Sequence, residues 1–380
     1  MLALFITIIA VYTTLTVIRL FLSIAEIKKQ QRNIVDISIK ENDITVLQPI
    51  LGGDKALADC LLENLRNSSN ANFIWLLDEG DDLGIKAAKQ ALKISGRNDV
   101  KLIINQCPPV GVNPKMWKLA KGFKEVSTTF FSILDDDTIL PKGTLPKAAT
   151  IANSGNLVTG LPLYASRFNI LSRLVTGFVN ANSLLTYLPA NYLGLSNTIN
   201  GMFTVMRTKD INSTELSSIS EKVTDDYALA RLFKEKELGI KQTILYHPII
   251  TTVTSFKHYN HLMKRWFVFA RIYLKENMTF SLFMLVVLPA ILPLPMVILS
   301  TILSGFAVTL VFILLMLKAF MVHKIYASLG DKKTPISDII FEITAELLSP
   351  IHATWALLRP GKITWRKRQF ILKGAKIIDG

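Results

Sequence analysis

Asp135, Asp136 and Asp137 follow directly on the apolar run 130–134. Like charges packed together at the mouth of a buried strand are costly unless a cation offsets them. In an extended chain Asp135 and Asp137 point one way and Asp136 the other. Hard oxygen donors so spaced suit Mg2+ or Mn2+ bound together with a phosphate group. The plainer expectation is a solvated acidic turn, with Asp136 structural in either case. A second acidic cluster, Asp78-Glu79-Gly80-Asp81-Asp82, follows the apolar run 73–77. A third, Thr224-Asp225-Asp226, opens a helical stretch that Thr224 can cap. Carboxylates in a helix's first turn are either surface acids favoured by the helix dipole or, for Asp226, a general base that takes a proton from a hydroxyl. Lys115, in the loop Gly111-Val112-Asn113-Pro114-Lys115, either meets a diphosphate or faces solvent. His258 to Trp266 gathers His261, Lys264, Arg265 and Trp266. Such a group suits phosphate contact, with Trp266 stacked on a sugar, or else forms a basic-aromatic belt at a bilayer surface.

Alternating strands and helices are the elements that position these residues. Residues 44–49 read as a first buried strand ending at Pro49, and Gly52-Gly53-Asp54 then turns the chain and caps a helix carrying Leu57, Leu61 and Leu65 on one face. Further strands are expected at 73–77, 100–104, 130–134 and 157–161, with strand-like framing at 201–207. This alternation predicts an α/β fold with a largely parallel sheet, whose ligands collect at strand carboxyl ends. Two of the acidic clusters fall at such ends. Residues 162–210 mix apolar pieces with Asn, Ser and Tyr and could line an acceptor groove.

The 380-residue chain is half apolar and carries a net charge of +14, with a mean hydropathy of +0.36. That balance favours an anionic membrane surface over nucleic acid, for which no motif stands out. Cys60 and Cys107 form no CxxC, so neither a disulfide framework nor a zinc site is expected. Residues 1–24 read as a transmembrane helix; Lys28, Lys29 and Arg32 follow it and set the next domain in the cytoplasm. The apolar runs 279–297 and 299–317, with Pro289, Pro293 and Pro295 near their junction, read as a transmembrane hairpin within 276–320. Lys318, His323 and Lys324 are expected to return it to the cytoplasm. A third crossing over 338–357, which contains Glu342, Glu346 and His352, would put Arg359, Lys362, Arg366, Lys367, Arg368, Lys373 and Lys376 outside. Residues 335–380 are therefore expected to form an interfacial or re-entrant helix and a basic tail lying on anionic headgroups.

The ordered motifs LQPILGGD, DEGDD, GVNPK, LDDDT, DDYALA, RW and the terminal ITWR resemble the ceramide glucosyltransferase family, glycosyltransferase family 21 within the wider family-2 group. The resemblance covers nearly the whole chain. It implies a GT-A (Rossmann-like) cytosolic catalytic domain over 42–275 and an inverting transfer of a sugar, glucose for choice, from a UDP-sugar to a lipid hydroxyl. By this resemblance Pro49, Asp78, Asp81, Lys115, Asp135 and Asp137 contact the nucleotide-sugar, and Asp135 and Asp137 hold Mg2+ or Mn2+. Asp226 is the implied general base with Asp225 beside it, and Arg265 and Trp266 end the (Q/R)xxRW motif. One position departs from the pattern: the motif's first residue falls on Leu262, with His261 one residue earlier as a candidate substitute for acceptor or phosphate contact.

Two alternatives follow. The same chemistry could serve a hopanoid, a diacylglycerol or a polysaccharide, although two C-terminal spans are few for a polysaccharide channel. A non-catalytic membrane protein binding lipid or nucleotide is the other, and intact carboxylates at all three sites argue against it.

Overall fold

Strand β1 (Ile44–Pro49) is buried at every position, and both sheet faces must therefore be covered. Val46 packs in one core with Phe73, Trp75, Phe130 and Val205. Leu47 packs in another with Ile74, Leu76, Phe131 and Met206. The computed structural model describes residues 1–33, 37–165, 168–330, 335–358, 361–365 and 368–379. Arg359, Arg366 and Lys367 of the expected basic tail lie outside them.

The remaining strands are β2 (Asn72–Asp78), β3 (Lys101–Asn105), β4 (Phe130–Leu134), β5 (Asn156–Tyr164), β6 (Phe203–Arg207) and β7 (Gly239–Ile249). They form one seven-stranded sheet in the order β3-β2-β1-β4-β6-β5-β7. β1 pairs parallel with β2 and β4, and β2 with β3. β6 runs antiparallel between β4 and β5. This is the α/β class expected from the sequence. The carboxyl ends of β1, β2 and β4 share one edge, and Pro49, Asp78 and Asp135 sit there.

The chain divides into two compact units, one comprising Asn33–Leu163, Ser196–Thr252 and Gly361–Gly380, the other Met1–Arg32, Tyr164–Leu195 and Val253–Pro360. The sheet belongs to the former. The segments Tyr164–Leu195 and from Val253 onward, expected within the catalytic span, belong to the latter.

The tail departs most from expectation. It folds as an antiparallel meander of β8 (Lys362–Trp365), β9 (Arg368–Lys373) and β10 (Lys376–Asp379). Ile363, Phe370 and Ile377 are its buried residues, at 2%, 1% and 7% exposure. The meander is tied into the sheet unit: Val223 N donates to Ala375 O at 3.0 Å and Ile377 N to Glu221 O at 3.2 Å.

The second unit is helical. Leu2–Arg32 and Gly305–Ser328 are each long and apolar enough to cross a membrane. Phe280–Ile291 and Pro293–Leu303 form a pair bent by 44°. The break between the hairpin helices falls at Ser304, whose backbone is extended and whose hydroxyl accepts from Ala307 N. The prolines are not at that break. Pro289 and Pro293 stand in the first turns of helical segments, where a missing N–H is tolerated, and bend the first arm instead. Lys318 does not mark the end of a span. It is 5% exposed, inside the helix, and ion-paired with Glu342 at 3.0 Å and Glu346 at 2.8 Å.

Helix Ile339–Leu358 buries polar and apolar residues together, Ile339, Ile343, Ala345 and Ala356 among the latter. Glu342, Ser349 and His352 face inward, whereas Ile340, Ile351, Leu357 and Leu358 are exposed. His352 Nε2 lies 3.0 Å from the Tyr259 hydroxyl.

Candidate active site

Lys115 is the hub of the acidic edge. The sequence suggests a loop lysine, but Asn113 caps a helix, Pro114–Gly122, by accepting from Lys115 N at 3.0 Å and Met116 N at 3.3 Å. Pro114, with its fixed φ and no N–H, suits the first helical position. Lys115 therefore stands in a rigid first turn. Its Nζ lies 2.6 Å from Asp135 Oδ1 and 3.4 Å from Asp225 Oδ2, and donates to Gly201 O at 2.7 Å. Two motifs about ninety residues apart are thus joined by one ammonium group.

Asp225 and Asp226 occupy the first turn of helix Asp225–Glu235, where unpaired amides favour negative charge. Thr224 stands at the cap position but makes no side-chain cap bond. Burial pushes the Asp226 carboxyl well above the usual range, and adjacent Asp225 adds to the rise. Burial also raises Asp225, but Lys115 and a hydrogen bond from Asp226 outweigh it and leave its pKa lowered. The pair is therefore pushed apart, Asp226 upward and Asp225 downward. Lys115 loses some affinity for its proton by burial, but the carboxylates around it, Asp135 first, raise its pKa overall. Burial raises Asp135 against the pull of Lys115. With 27% of its side chain exposed and a 2.6 Å ion pair, Asp135 is best read as ionised.

Gly201 permits the close approach of Asp226. Its N–H donates to Asp226 Oδ2 at 3.3 Å, and a Cβ there would come within 2.9 Å of the carboxylate carbon.

Asp78, at the end of β2, pairs with Lys118 at 3.1 Å. Lys118 is 3% exposed and also donates to Ile50 O at 2.8 Å. Asp78 Oδ1 is buried and receives no hydrogen bond. An orphaned carboxylate oxygen is costly, and an N–H or O–H donor of a nucleoside would satisfy it. Pro49, buried, ends the neighbouring strand.

Asp81 has another task. It caps helix Asp82–Ser95, accepting from Gly84 N at 3.1 Å and from Gly52 N at 2.7 Å. Both carboxylate oxygens serve the backbone, which clamps the β1 turn to that helix. Gly52 makes the approach possible, since a Cβ there would lie 2.3 Å from Gly84 N. Asp54 accepts from Ala56 N at 2.9 Å, directly before helix Leu57–Asn67, and from Thr252 N at 2.9 Å.

Asp136 is 5% exposed and accepts from Leu51 N at 2.8 Å. Asp137 accepts from the Thr251 hydroxyl at 2.5 Å.

Among the described residues no three His, Cys, Asp or Glu side chains converge as a ready-made cation cage. Mg2+ and Mn2+ sites that work on phosphates need only one or two carboxylates, completed by water and the phosphates. Acid also exceeds base here: the carboxylates of Asp135, Asp225 and Asp226 all act on the one ammonium group of Lys115. The donor set fits a divalent cation that arrives with a diphosphate.

His261, Arg265 and Trp266 lie on helix Phe256–Asn277 of the membrane unit. Burial, then Lys257 and Lys264, hold His261 below its ordinary pKa, which favours its neutral form. Trp266 is boxed by aromatic rings: Phe178 stacks on it at 6.1 Å and 12°, and Tyr164 meets it edge-on at 5.8 Å.

Sequence reasoning missed Lys118 and Gly201. Lys118 stands three residues after Lys115 on the same helix face, which was the available signal. Gly201 was expected only as the start of the strand-like framing at 201–207, and nothing local marked its contact with Asp226.

No curated protein matches the sequence. Among solved structures, the chain is similar to a mannosyltransferase from Pyrobaculum calidifontis in complex with GDP-Man and Mn2+. That likeness has a TM-score of 0.45 and 12% identity, over 92% of this chain and 99% of the other. It is also similar to glucosyl-3-phosphoglycerate synthase from Mycobacterium tuberculosis in complex with Mn2+, UDP and glucosyl-3-phosphoglycerate. The values there are a TM-score of 0.39 and 16% identity, over 64% of this chain and 84% of the other. A family model matches residues 2–378, and the chain belongs to glycosyl transferase family 21.

Proposed function

We propose that this glycosyltransferase moves glucose from UDP-glucose to the hydroxyl of a membrane lipid, ceramide or a similar sphingolipid, at the cytoplasmic face of the bilayer. The observation that carries the reading is the cluster of Asp135, Asp225 and Asp226 around Lys115 at the carboxyl edge of the sheet. Membership of family 21 supports sugar transfer. The apolar helices support a membrane-borne acceptor, and the basic residues that follow the first helix favour a cytoplasmic catalytic unit and a multi-pass chain.

In this reading Asp78, with Pro49 beside it, receives the nucleoside. Asp135 and Asp137 would hold Mg2+ or Mn2+, which when bound neutralises charge on the departing diphosphate. Asp226 accepts the proton of the lipid hydroxyl as its oxygen bonds to the anomeric carbon. The bond from that carbon to the diphosphate breaks, UDP leaves, and the configuration inverts. Asp225, held ionised by Lys115, favours the arriving proton on its neighbour. Arg265 and Trp266 belong to the diphosphate and acceptor end by family resemblance, with His261 as a further hydrogen-bonding group.

The test uses purified full-length protein with UDP-glucose, UDP-galactose, UDP-N-acetylglucosamine and GDP-mannose, together with membrane lipid extract and Mg2+ or Mn2+. Mass spectrometry should find a hexosylated, amide-containing lipid with UDP-glucose. A product with GDP-mannose alone, or on diacylglycerol alone, would overturn the donor or acceptor assignment respectively.

A further inference from the structure

Asp226, Lys115 and Asp135 all bond to one short turn directly before β6. Gly201 N donates to Asp226 Oδ2 at 3.3 Å, and Gly201 O accepts from Lys115 Nζ at 2.7 Å. Met202 O accepts from Asp135 N at 2.8 Å. The placement of these side chains is therefore only as exact as that of the turn.

β5 pairs with β6 at Val158 with Val205 and at Thr159 with Thr204, and the turn lies beyond that register. Side chains from β5 reach it there. Thr159 shares its one hydroxyl proton between Phe203 O at 3.0 Å and Asn200 O at 3.2 Å. Those carbonyls flank Gly201 and Met202, so a single hydroxyl closes the turn at both ends. Asn200 Nδ2 donates to Gly160 O. β7 braces the same two residues of β5: Thr243 Oγ1 donates to Thr159 O at 2.9 Å, and Gln242 Nε2 to Gly160 O at 2.7 Å.

Thr159, Asn200, Gln242 and Thr243 are all buried. Core filling would be met at less cost by apolar residues, since valine has the shape of threonine with no hydroxyl to desolvate. Asn200 Oδ1 is moreover buried and receives no hydrogen bond. An orphaned acceptor is costly, and here it accompanies an Nδ2 placed on Gly160 O.

We propose that Thr159 is a positioning residue for sugar transfer: its hydroxyl sets the Gly201 peptide, and through that peptide it aligns Asp226 and Lys115. The inference rests on the reading of Asp226 as the base.

Thr159→Val keeps the shape and removes the hydroxyl. Lipid glycosylation by the full chain in vesicles, with the donor that wild type uses, should lose about a hundredfold in kcat, the scale of a displacement of about 1 Å. The KM for that donor and the UDP affinity should stay at wild-type values. Thr159→Ser, which retains the hydroxyl, should recover most of the rate. A double-mutant cycle separates alignment from plain destabilisation. If Thr159 acts through Asp226, adding Thr159→Val to Asp226→Asn should change the rate by no more than about twofold, whereas independent effects would multiply. Multiplied losses, or an equal loss in Thr159→Ser, overturn the proposal. Should Thr159→Val lose UDP binding, Asn200→Ala carries the same cycle, because it removes the tie to Gly160 without adding volume. Loss of UDP binding there too makes the network merely structural and also overturns the proposal. An Asp226→Asn protein as fast as wild type overturns the base and this proposal with it. A slow Asp226→Asn beside an unimpaired Thr159→Val overturns the positioning role alone.

Discussion

Lys115 and Asp226 act on one another through charge, and their chemistry gives a pH signature. The base must be ionised to act, and burial with Asp225 alongside lifts the Asp226 pKa well above the usual carboxylate range. The acid limb of kcat/KM, which reports the free enzyme, should therefore lie at higher pH than an ordinary aspartate would give. Lys115 is among the influences that lower the Asp226 pKa. Lys115→Met should thus move the limb further toward alkaline pH, read from pH–rate profiles of the two proteins. A limb that stays in place would separate Lys115 from the base. At this scale the sequence made the acidic clusters conspicuous and was uninformative about what holds them. DDD, DEGDD and DDYALA stand out because acid after an apolar run is conspicuous. The contact of Lys115 with both Asp135 and Asp225, and the use of Asp81 as a helix cap, depend on tertiary approach that no spacing encodes.

Among the elements, the C-terminal meander supports the segment that leads to Asp226, the proposed base. Glu221 and Val223, directly before the Asp225–Asp226 turn, hydrogen-bond to β10 and the turn before it, and Asn113 N donates to Ser220 O at 2.6 Å from the Lys115 side. The segment leading to Asp226 is thus held from two directions. Deleting residues 361–380 should lower kcat by about a hundredfold, the scale expected when a reacting group shifts by about 1 Å. UDP affinity and vesicle sedimentation should stay near wild type. Unchanged kcat with lost vesicle binding would restore the membrane-tail expectation. The strands β1 to β4 were legible because buried strands are continuous apolar runs between turn signals. The meander was not, because its many Lys and Arg residues mask a sparse pattern in which Ile363, Phe370 and Ile377 supply the buried positions. Ser304 was missed for a related reason: three prolines nearby looked like the stronger break, yet a serine in extended conformation ends the helix.

On the scale of the whole molecule, a sheet unit carrying the acidic edge and a helical unit with inward-facing charges together make up a family 21 glycosyltransferase. Hydropathy located the apolar segments, but it treated Lys318 as the end of a span. A lone lysine in an apolar run carries no sign of partners that arrive from a distant helix. The account's central claim is that Asp226 takes the proton from a lipid hydroxyl during sugar transfer. The most direct measurement compares glucosylated-lipid formation by wild type and Asp226→Asn, with UDP-glucose and ceramide in vesicles and with UDP affinity measured alongside. General-base loss predicts a fall in kcat of about 10²- to 10⁴-fold with UDP binding retained. Equal rates in the two proteins would contradict the claim.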